Sequence, residues 1–495
     1  MRTIRPIAAL GILVASTALY AEPSFAQRTS TQTPTPSPSP TASASPSTLP
    51  PPASVAPVEV PQDLLRAVSG GLTNDQVGVR AASTSYASKA ALENLRSAAA
   101  RVDQAWSAFL PRITALGRYT RVSNFTPPNL FDPSTLPPAF QTLAGGFPVI
   151  VNNYLLQASI AVPISDYFLR IAQGYTAAGH TQDAALFDTI VARAKAEADG
   201  RVSFYNWLLA RGSIIVAINA LNDQKTHLND ARNQFDAGNA SRVDVLRGET
   251  AVAAAELQVE RTKNFAALAE KQLRIALHAE DSEPIVPGEA LDTVPPPFQG
   301  NLKQLTSEAT RGRLELKSMD ASLRALKDQT TATHNAGLPQ ISAFADGIYA
   351  NPNPRRIPAA NEWFPTWDVG AQIMWSPNDT VAQASAGRDM EARIAQLEAQ
   401  RDSTRDGIEL EVTQAFQATK ESDVALESTK RELASAEEAY RVARELFNNG
   451  RVTSSTLTDA EAELTRARLD ALTSSANARI ARIRLEHALG RDARR

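Results

Sequence analysis

Two long stretches without proline limit the fold of this chain more than any other feature. One runs between Pro163 and Pro284, and the other follows Pro377 to the C-terminus. Proline interrupts helices, and both stretches are rich in Ala, Leu, Glu, Arg and Gln, which favour them. A helix from Ile164 to Phe235 would be roughly 105 Å long at 1.5 Å per residue. The sequence therefore predicts long helices rather than a compact globule.

In each stretch one glycine is followed by hydroxyl residues, which is typical of a turn between two helices. Gly238 precedes Ser241, and Gly450 precedes Thr453 and Ser454. Glycine tolerates the backbone conformation that ends a helix, and Ser or Thr caps the next helix at its N-terminus. Each stretch is therefore predicted to form a hairpin of two long helices.

The two turns lie in matching segments of the chain. The sequence "FDAGNASRVDVLRGE" occupies 235–249, and "FNNGRVTSSTLTDAE" occupies 447–461, which is 212 residues later. Shorter helices are predicted at about 74–109 and 302–335, and a Leu-Pro pair follows each. These matches predict an internal repeat. The predicted parts are a first copy at 72–283, a Pro-rich joint at 284–300 and a second copy at 301–495.

Apolar and small residues recur at steps of three and four along the second hairpin. Before the turn these positions are Leu426, Thr429, Leu433, Ala436, Tyr440, Ala443 and Phe447. After the turn they begin with Leu457, Ala460, Leu464 and Ala467 and continue to Ala488. This spacing predicts that the two helices pack closely in the manner of a coiled coil.

The first residues of the chain have the pattern of a secretory signal peptide. Arg2 and Arg5 precede an apolar run, and small residues follow at Ser24 and Ala26. We predict a signal peptide at 1–26; the alternative is an uncleaved membrane anchor. A disordered tether rich in Pro, Ser and Thr is predicted at 27–71, and no run of eighteen apolar residues follows it. The chain is therefore predicted to be exported without a transmembrane helix.

Short stretches of alternating apolar residues follow each Leu-Pro pair and precede each long helix. The sharpest runs from Trp367 to Trp375, and a similar one begins at Tyr154. Eight steps of about 3.4 Å span about 27 Å, close to the roughly 25 Å apolar band of outer-membrane barrels. We predict four lipid-facing strands, with Tyr154, Trp367 and Trp375 in the aromatic girdle. The alternative is a half-buried sheet of a soluble protein.

Four strands are too few to close a barrel in a membrane. The smallest known barrels have about eight strands, and lipid does not tolerate unpaired strand edges. Subunits must therefore share one barrel, to which three chains would supply twelve strands and two chains would supply eight.

Composition and spacing argue against catalysis and against nucleic-acid binding. The formal net charge is −3, and no cysteine is present to bind a metal or act as a nucleophile. The five histidines have no partner at metal-ligand spacing, and the sequence contains no glycine-rich phosphate loop or nucleophile elbow. We therefore predict no enzyme activity, no cofactor, no metal site and no nucleic-acid partner.

The order of elements resembles that of the TolC-like outer-membrane efflux channel family, the outer membrane factors. Helix, strand, loop, strand, long helix, glycine turn and helix occur twice. The residues that carry the resemblance are Leu110-Pro111, Leu338-Pro339, Val162-Pro163, Ser376-Pro377, "RLEL" at Arg313–Leu316, and the two turns.

The resemblance implies a mainly α fold with a small β part and an internal two-fold repeat. Long antiparallel helical hairpins would form an α-barrel, and four strands per chain would join a shared transmembrane β-barrel. It also implies a homotrimer in the cell outer membrane with a periplasmic extension. The implied partners are outer-membrane lipid, a periplasmic adaptor (membrane fusion) protein and an inner-membrane pump.

The same resemblance assigns roles to residues at the turns. The implied adaptor contacts are Gly238, Asn239, Ser241, Gly450, Arg451 and Thr453. Just beyond the turns, the family lines its narrowest aperture with aspartates in a D-x-x-[DN]-like pattern. The matching positions are Asp244, Arg247, Thr456 and Asp459. Arg247 departs from the pattern, so each copy keeps one carboxylate, and the alternative role for both carboxylates is that of an acid favoured by the helix dipole.

These expectations describe the exit duct of a tripartite efflux or type I secretion system, which passively conducts substrates from a pump to the exterior. The alternative is a structural or adhesive coiled-coil protein of the cell envelope. That alternative explains the coiled-coil spacing of the second hairpin and the Pro-rich tether. It explains neither the paired strands nor the internal repeat. Drugs, metals and secreted polypeptides are all compatible with the sequence as substrates.

Overall fold

The computed structural model describes residues 59, 67–124, 137, 149–291, 296–357 and 359–494. The predicted signal peptide and nearly all of the predicted tether lie outside these described residues.

The first copy of the repeat folds as two short helices, two strands and a helical hairpin. Its elements are α1 (Asn74–Thr84), α2 (Tyr86–Ser107), β1 (Arg112–Arg121), β2 (Asn152–Val162), α3 (Ile164–Asp236) and α4 (Arg242–Leu277). A π-helical turn at Tyr167–Ile171 lies near the start of α3.

The second copy has the same order of elements. They are α5 (Leu302–Gly312), α6 (Leu314–Asn335), β3 (Gln340–Asn351), β4 (Phe364–Met374), α7 (Pro377–Asn448) and α8 (Ser454–Ala488). At 72 residues, α7 is about 108 Å long. The mainly α fold class, the small β part and the internal repeat are thus confirmed.

The four strands form one antiparallel sheet in the order β1-β2-β3-β4. The central pair, β2 and β3, comes from different copies of the repeat, with Tyr154 opposite Asn351 and Val162 opposite Ala343. In the described part of the chain, β1 and β4 each pair on one side alone. The sheet therefore joins the two copies and ends in two open edges.

The largest buried apolar cluster lies where the first hairpin, the Pro-rich joint and α8 meet. Phe204 and Trp207 of α3 are fully buried there with Leu273 of α4. The joint contributes Ile285, and α8 contributes Ile480. A second cluster links α5, α6, α7 and α8, and its members include Leu305, Leu316, Val412, Phe416 and Leu485.

The predicted coiled-coil spacing of the second hairpin is confirmed. Ala436 of α7 packs with Leu464 of α8, and Phe447 packs with Leu457 nearer the turn. Both leucines are 1% exposed. Each hairpin therefore carries its own apolar core along its length.

Each of the two helical stretches predicted at about 74–109 and 302–335 consists of two helices. Extended backbone breaks the first at Ser85 (ψ 131°) and the second at Arg313 (ψ 129°). The Arg313 guanidinium donates to the carbonyls of His487 and Ala488 at 3.1 and 3.2 Å, and it pairs with Glu315. The break thus lets Arg313 cap the end of α8, a tertiary requirement that local spacing does not reveal.

The prediction that the last strand reaches Trp375 is wrong by one residue. The ladder ends at Met374, and the indole Nε1 of Trp375 donates to Thr380 Oγ1 in the first turn of α7 at 3.1 Å. The helix α7 begins only at Pro377, because the residue before a proline is restricted to extended conformations.

Among the described residues, one helix passes a test of length and composition for crossing a membrane. This helix is α3, which contains an apolar stretch of 18 residues, and 50% of that stretch is buried inside the protein. A core helix passes the same test, and α3 supplies the fully buried Phe204 and Trp207. We interpret this stretch as a core element.

Candidate functional site

The turns at the ends of the two hairpins have the same geometry. Gly238 has φ of 76° and Gly450 has φ of 65°. In both turns, the residue after the glycine donates its N–H to the carbonyl five residues earlier, at 2.8 and 2.9 Å. This is the Schellman arrangement, in which glycine adopts the left-handed conformation at least cost.

The next helix of each hairpin begins at a hydroxyl cap. Ser241 Oγ accepts from the Asp244 N–H at 3.3 Å, and Thr453 Oγ1 accepts from the Thr456 N–H at 3.4 Å. Ser241 was expected to be the first N-cap and Thr453 or Ser454 the second, and the structure confirms Ser241 and identifies Thr453. Two of the four proposed aperture positions, Asp244 and Thr456, therefore occupy equivalent places in the first turn of a helix.

The Asp244 carboxylate is held by its own helix. It accepts from the Ser241 N–H at 3.1 Å and from Ser241 Oγ at 2.6 Å, which completes a capping box. The hydrogen bond from the Ser241 side chain and the charge of Arg247, whose Nη1 lies 3.9 Å from the carboxylate, lower the pKa of Asp244. The geometry thus gives Asp244 a capping role, and its place in an aperture stays a prediction.

Asp459 stands in a different environment from Asp244. It lies six residues beyond the Thr453 cap, is exposed and takes no part in the capping bonds. An aperture at this level would therefore take more of its negative charge from Asp459 than from Asp244.

The proposed adaptor contacts all lie at the hairpin ends. The exposed members are Gly238, Asn239, Ser241, Gly450, Arg451 and Thr453. A Cβ atom added at Gly238 or Gly450 would meet no atom within 4 Å. The conformation of these glycines therefore reflects backbone geometry and not crowding.

One face of the four-stranded sheet is apolar and exposed across all strands. The register aligns Ile113, Ile160, Ala345 and Val369 in one row. Ile113 is 73% exposed and Val369 is 69% exposed. A contiguous apolar face of this kind needs an apolar surrounding, and the lipid of an outer membrane supplies one.

The opposite face of the sheet is mixed, and its polar side chains interact with one another. Gln157 Nε2 donates to Ser159 Oγ at 3.1 Å and to Asp346 Oδ1 at 3.3 Å. Arg355 pairs with Asp368 at 2.6 Å. An apolar face opposite a face that carries polar side chains is typical of a transmembrane β-barrel wall.

Aromatic rings gather at one end of the apolar face. Tyr154 lies 5.1 Å from Tyr119 and 5.8 Å from Trp363, and Trp363 lies 4.9 Å from Tyr349. Sequence reasoning missed Trp363, because it precedes the alternating stretch; its position just before "FPTW" was the available signal.

The three proposed girdle residues do not share one level of the sheet. Tyr154 lies at the aromatic end, whereas Trp375 follows the opposite end of β4. Trp367 pairs with Gly347, between these two levels. Tyr154 and Trp375 thus suit two separate girdles, and Trp367 suits the apolar band between them.

A sheet with one lipid-suited face, joined to the helices α3 and α7 of about 100 Å each, defines an outer-membrane channel with a long helical part. The chain belongs to the outer membrane efflux protein family, whose model matches residues 80–278 and 305–491. The two matched segments correspond to the two copies of the repeat. Family membership confirms the resemblance, the outer-membrane location and the efflux-channel class.

Solved structures share this fold. The outer-membrane channel OprN aligns with a TM-score of 0.70 at 19% identity, covering 84% of this chain and 89% of that one. CmeC of Campylobacter jejuni aligns with a TM-score of 0.68 at 15% identity, covering 88% of this chain and 93% of that one. The open state of MtrE of Neisseria gonorrhoeae aligns with a TM-score of 0.67 at 16% identity, covering 88% of this chain and 97% of that one. No curated protein sequence matches the chain.

Proposed function

We propose that this protein is the exit duct of a tripartite efflux or type I secretion system, through which substrates pass from an inner-membrane pump to the exterior. The observation that carries the proposal is the sheet, with its exposed apolar face and its two open edges. Lipid does not tolerate open strand edges, so neighbouring copies must close them. A homotrimer would do so with twelve strands.

The hairpin ends are the surfaces that we assign to a periplasmic adaptor protein. The turns at Gly238 and Gly450 are exposed, lie at the far ends of α3 and α7 from the sheet, and have one shared geometry. A trimer would present this turn six times around a ring. Repeated, rigid and exposed surfaces suit docking by a partner that is itself repeated.

The duct is passive in this proposal, so its pump selects the substrate. No group of three or more His, Cys, Asp or Glu residues in the described part of the chain could hold a metal ion. Charge at the aperture would bias which ions pass, because a ring of carboxylates focuses negative potential.

Planar lipid bilayers test conduction and aperture charge together. We expect the purified protein to form pores that prefer cations and that multivalent cations block. Asp459→Asn is expected to weaken both properties clearly, and Asp244→Asn less, because Ser241 and Arg247 already engage that carboxylate. The effects should shrink at high salt.

The matched control for these recordings is Asp406→Asn, which changes an exposed aspartate of α7 far from the turns. It should behave as wild type. Equal selectivity and block in wild type and the Asp244→Asn, Asp459→Asn double variant would contradict the aperture. Absence of any conduction would favour a structural coiled-coil protein of the envelope.

A further inference from the structure

Most contacts that join the two hairpins near their turns are polar, beside a ring contact between His227 and Phe447 at 5.1 Å. We call the polar contacts the tip seam, and they are Gln234 Nε2 to Phe447 O (3.4 Å), His227 Nε2 to Ser454 Oγ (3.1 Å), Gln224 Nε2 to Glu461 Oε2 (2.7 Å) and Arg468 Nη1 to Asp223 Oδ2 (3.4 Å). The buried apolar clusters at this level each lie within one hairpin. In the described chain, the apolar cluster that joins the hairpins extends along α8 toward the turns only as far as Leu472.

Glu461 is the most deeply buried carboxylate of the tip seam. It is 3% exposed and lies on α8, where Gln224 of α3 donates one hydrogen bond to it. The Oε1 atom of Gln224 is also buried and has no hydrogen-bond partner. An unsatisfied buried oxygen destabilises the packed form, and the ionised Glu461 carboxylate has no hydrogen to donate to it.

A neutral Glu461 removes this defect. A protonated carboxyl group has one O–H donor, which can pair with Gln224 Oε1 while Gln224 Nε2 donates to the carboxyl C=O. The acid and the amide then form two reciprocal hydrogen bonds across the hairpins. Ionisation releases the proton to solvent and leaves one of these bonds unmade.

The charges around Glu461 also favour its neutral form. Burial raises its pKa to about 7, and the negative charges of Asp223 and Asp230 on α3 add to the increase. The hydrogen bond from Gln224 and the charge of Arg444 on α7 act in the opposite direction, but they are smaller than the effect of burial.

The other groups that face this site do not supply a compensating charge. Burial lowers the pKa of His227, although Asp230 and Asp244 oppose this, and burial raises the pKa of Tyr440 to about 12. Both side chains are therefore neutral near pH 7. Arg468 pairs with Asp223, and Arg444 affects the pKa of Glu461 less than burial does.

We propose that Glu461 and Gln224 form a proton-sensitive latch, which holds α3 against α8 while Glu461 is neutral and loosens the hairpin ends when Glu461 ionises. Because the packed form binds the proton more tightly than a separated form, the contribution is complete below about pH 4.5 and is lost as the pH rises through about 7. The latch is a property of the folded chain and holds whether or not the protein serves a pump.

Hydrogen–deuterium exchange of the purified, detergent-solubilised protein tests the latch. After correction for intrinsic exchange rates, we expect peptides covering 220–230 and 456–466 to exchange about thirtyfold faster at pH 8.5 than at pH 5.5. The Glu461 pKa of about 7 lies about 1.5 units above pH 5.5, and each unit is worth tenfold. Glu461→Gln should exchange slowly at both values, because glutamine keeps the volume and stays neutral. Glu463→Gln, which changes an exposed carboxylate on the same helix, should respond as wild type.

A second variant tests the latch without changing Glu461 itself. Asp223→Asn removes a negative neighbour that raises the Glu461 pKa, so the midpoint of the pH response should move to lower pH. A wild-type protein without a pH response in these peptides would overturn the latch. The same holds for a response that survives in Glu461→Gln, or for a midpoint that Asp223→Asn leaves unmoved.

Discussion

Replacing Val369 by arginine is expected to abolish stable insertion of the protein into the outer membrane. Val369 lies in the middle of β4, on the apolar face, and is 69% exposed. Arginine on the lipid face of a barrel costs about 2–4 kcal/mol at the bilayer midplane, and every copy in the assembly would bear that cost. Membrane fractionation and the yield of detergent-extracted oligomer measure the loss.

The matched control for this variant is Gln372→Arg. Gln372 lies three residues further along β4, on the opposite, mixed face, where an arginine would point into the lumen. Insertion of this control should be nearly normal. If Val369→Arg inserted as well as Gln372→Arg, the apolar face would not contact lipid, and the sheet would belong to a soluble part of the protein.

Replacing both turn glycines by valine is expected to remove most pump-dependent efflux while leaving the oligomer intact. Gly238 and Gly450 have positive φ, a conformation that costs an L-residue roughly 1–2 kcal/mol and that suits β-branched residues least. There is open space at both positions, so the strain would distort the turn rather than the hairpin core. Accumulation of a fluorescent pump substrate in cells measures the loss.

Gly407→Val provides the control for the turn variants. Gly407 lies within α7, has open space for a Cβ atom and does not have positive φ, so valine should be accepted there. Normal efflux in the Gly238→Val, Gly450→Val double variant, at normal protein levels, would show that the turns are not the docking surface.

Much of the fold follows from spacing along the chain. Proline-free stretches of helix-forming residues, ended by Gly238 and Gly450, predict the hairpins because helix ends need a residue that accepts positive φ. Alternation along β2 and β4 predicts the strands, and the 212-residue offset predicts the repeat. The helix and strand signals each lie within a short segment of the chain, and the repeat is the recurrence of such segments.

The features that sequence reasoning missed depend on contacts between distant residues. Arg313 breaks a helix in order to reach the end of α8, 174 and 175 residues away. Glu461 resembles any helix-face glutamate in the sequence, and only the packing of α3 against α8 buries it. The role of Asp244 was open for a different reason, because a first-turn aspartate suits both a cap and an aperture.

The central claim is that copies of this chain share one barrel, and the mass of the assembly tests it most directly. Native mass spectrometry of the protein extracted in mild detergent should give a particle mass of three chains. A particle of one chain that remains folded and conducts in planar bilayers would contradict the shared barrel, because a four-stranded sheet cannot close on itself in lipid.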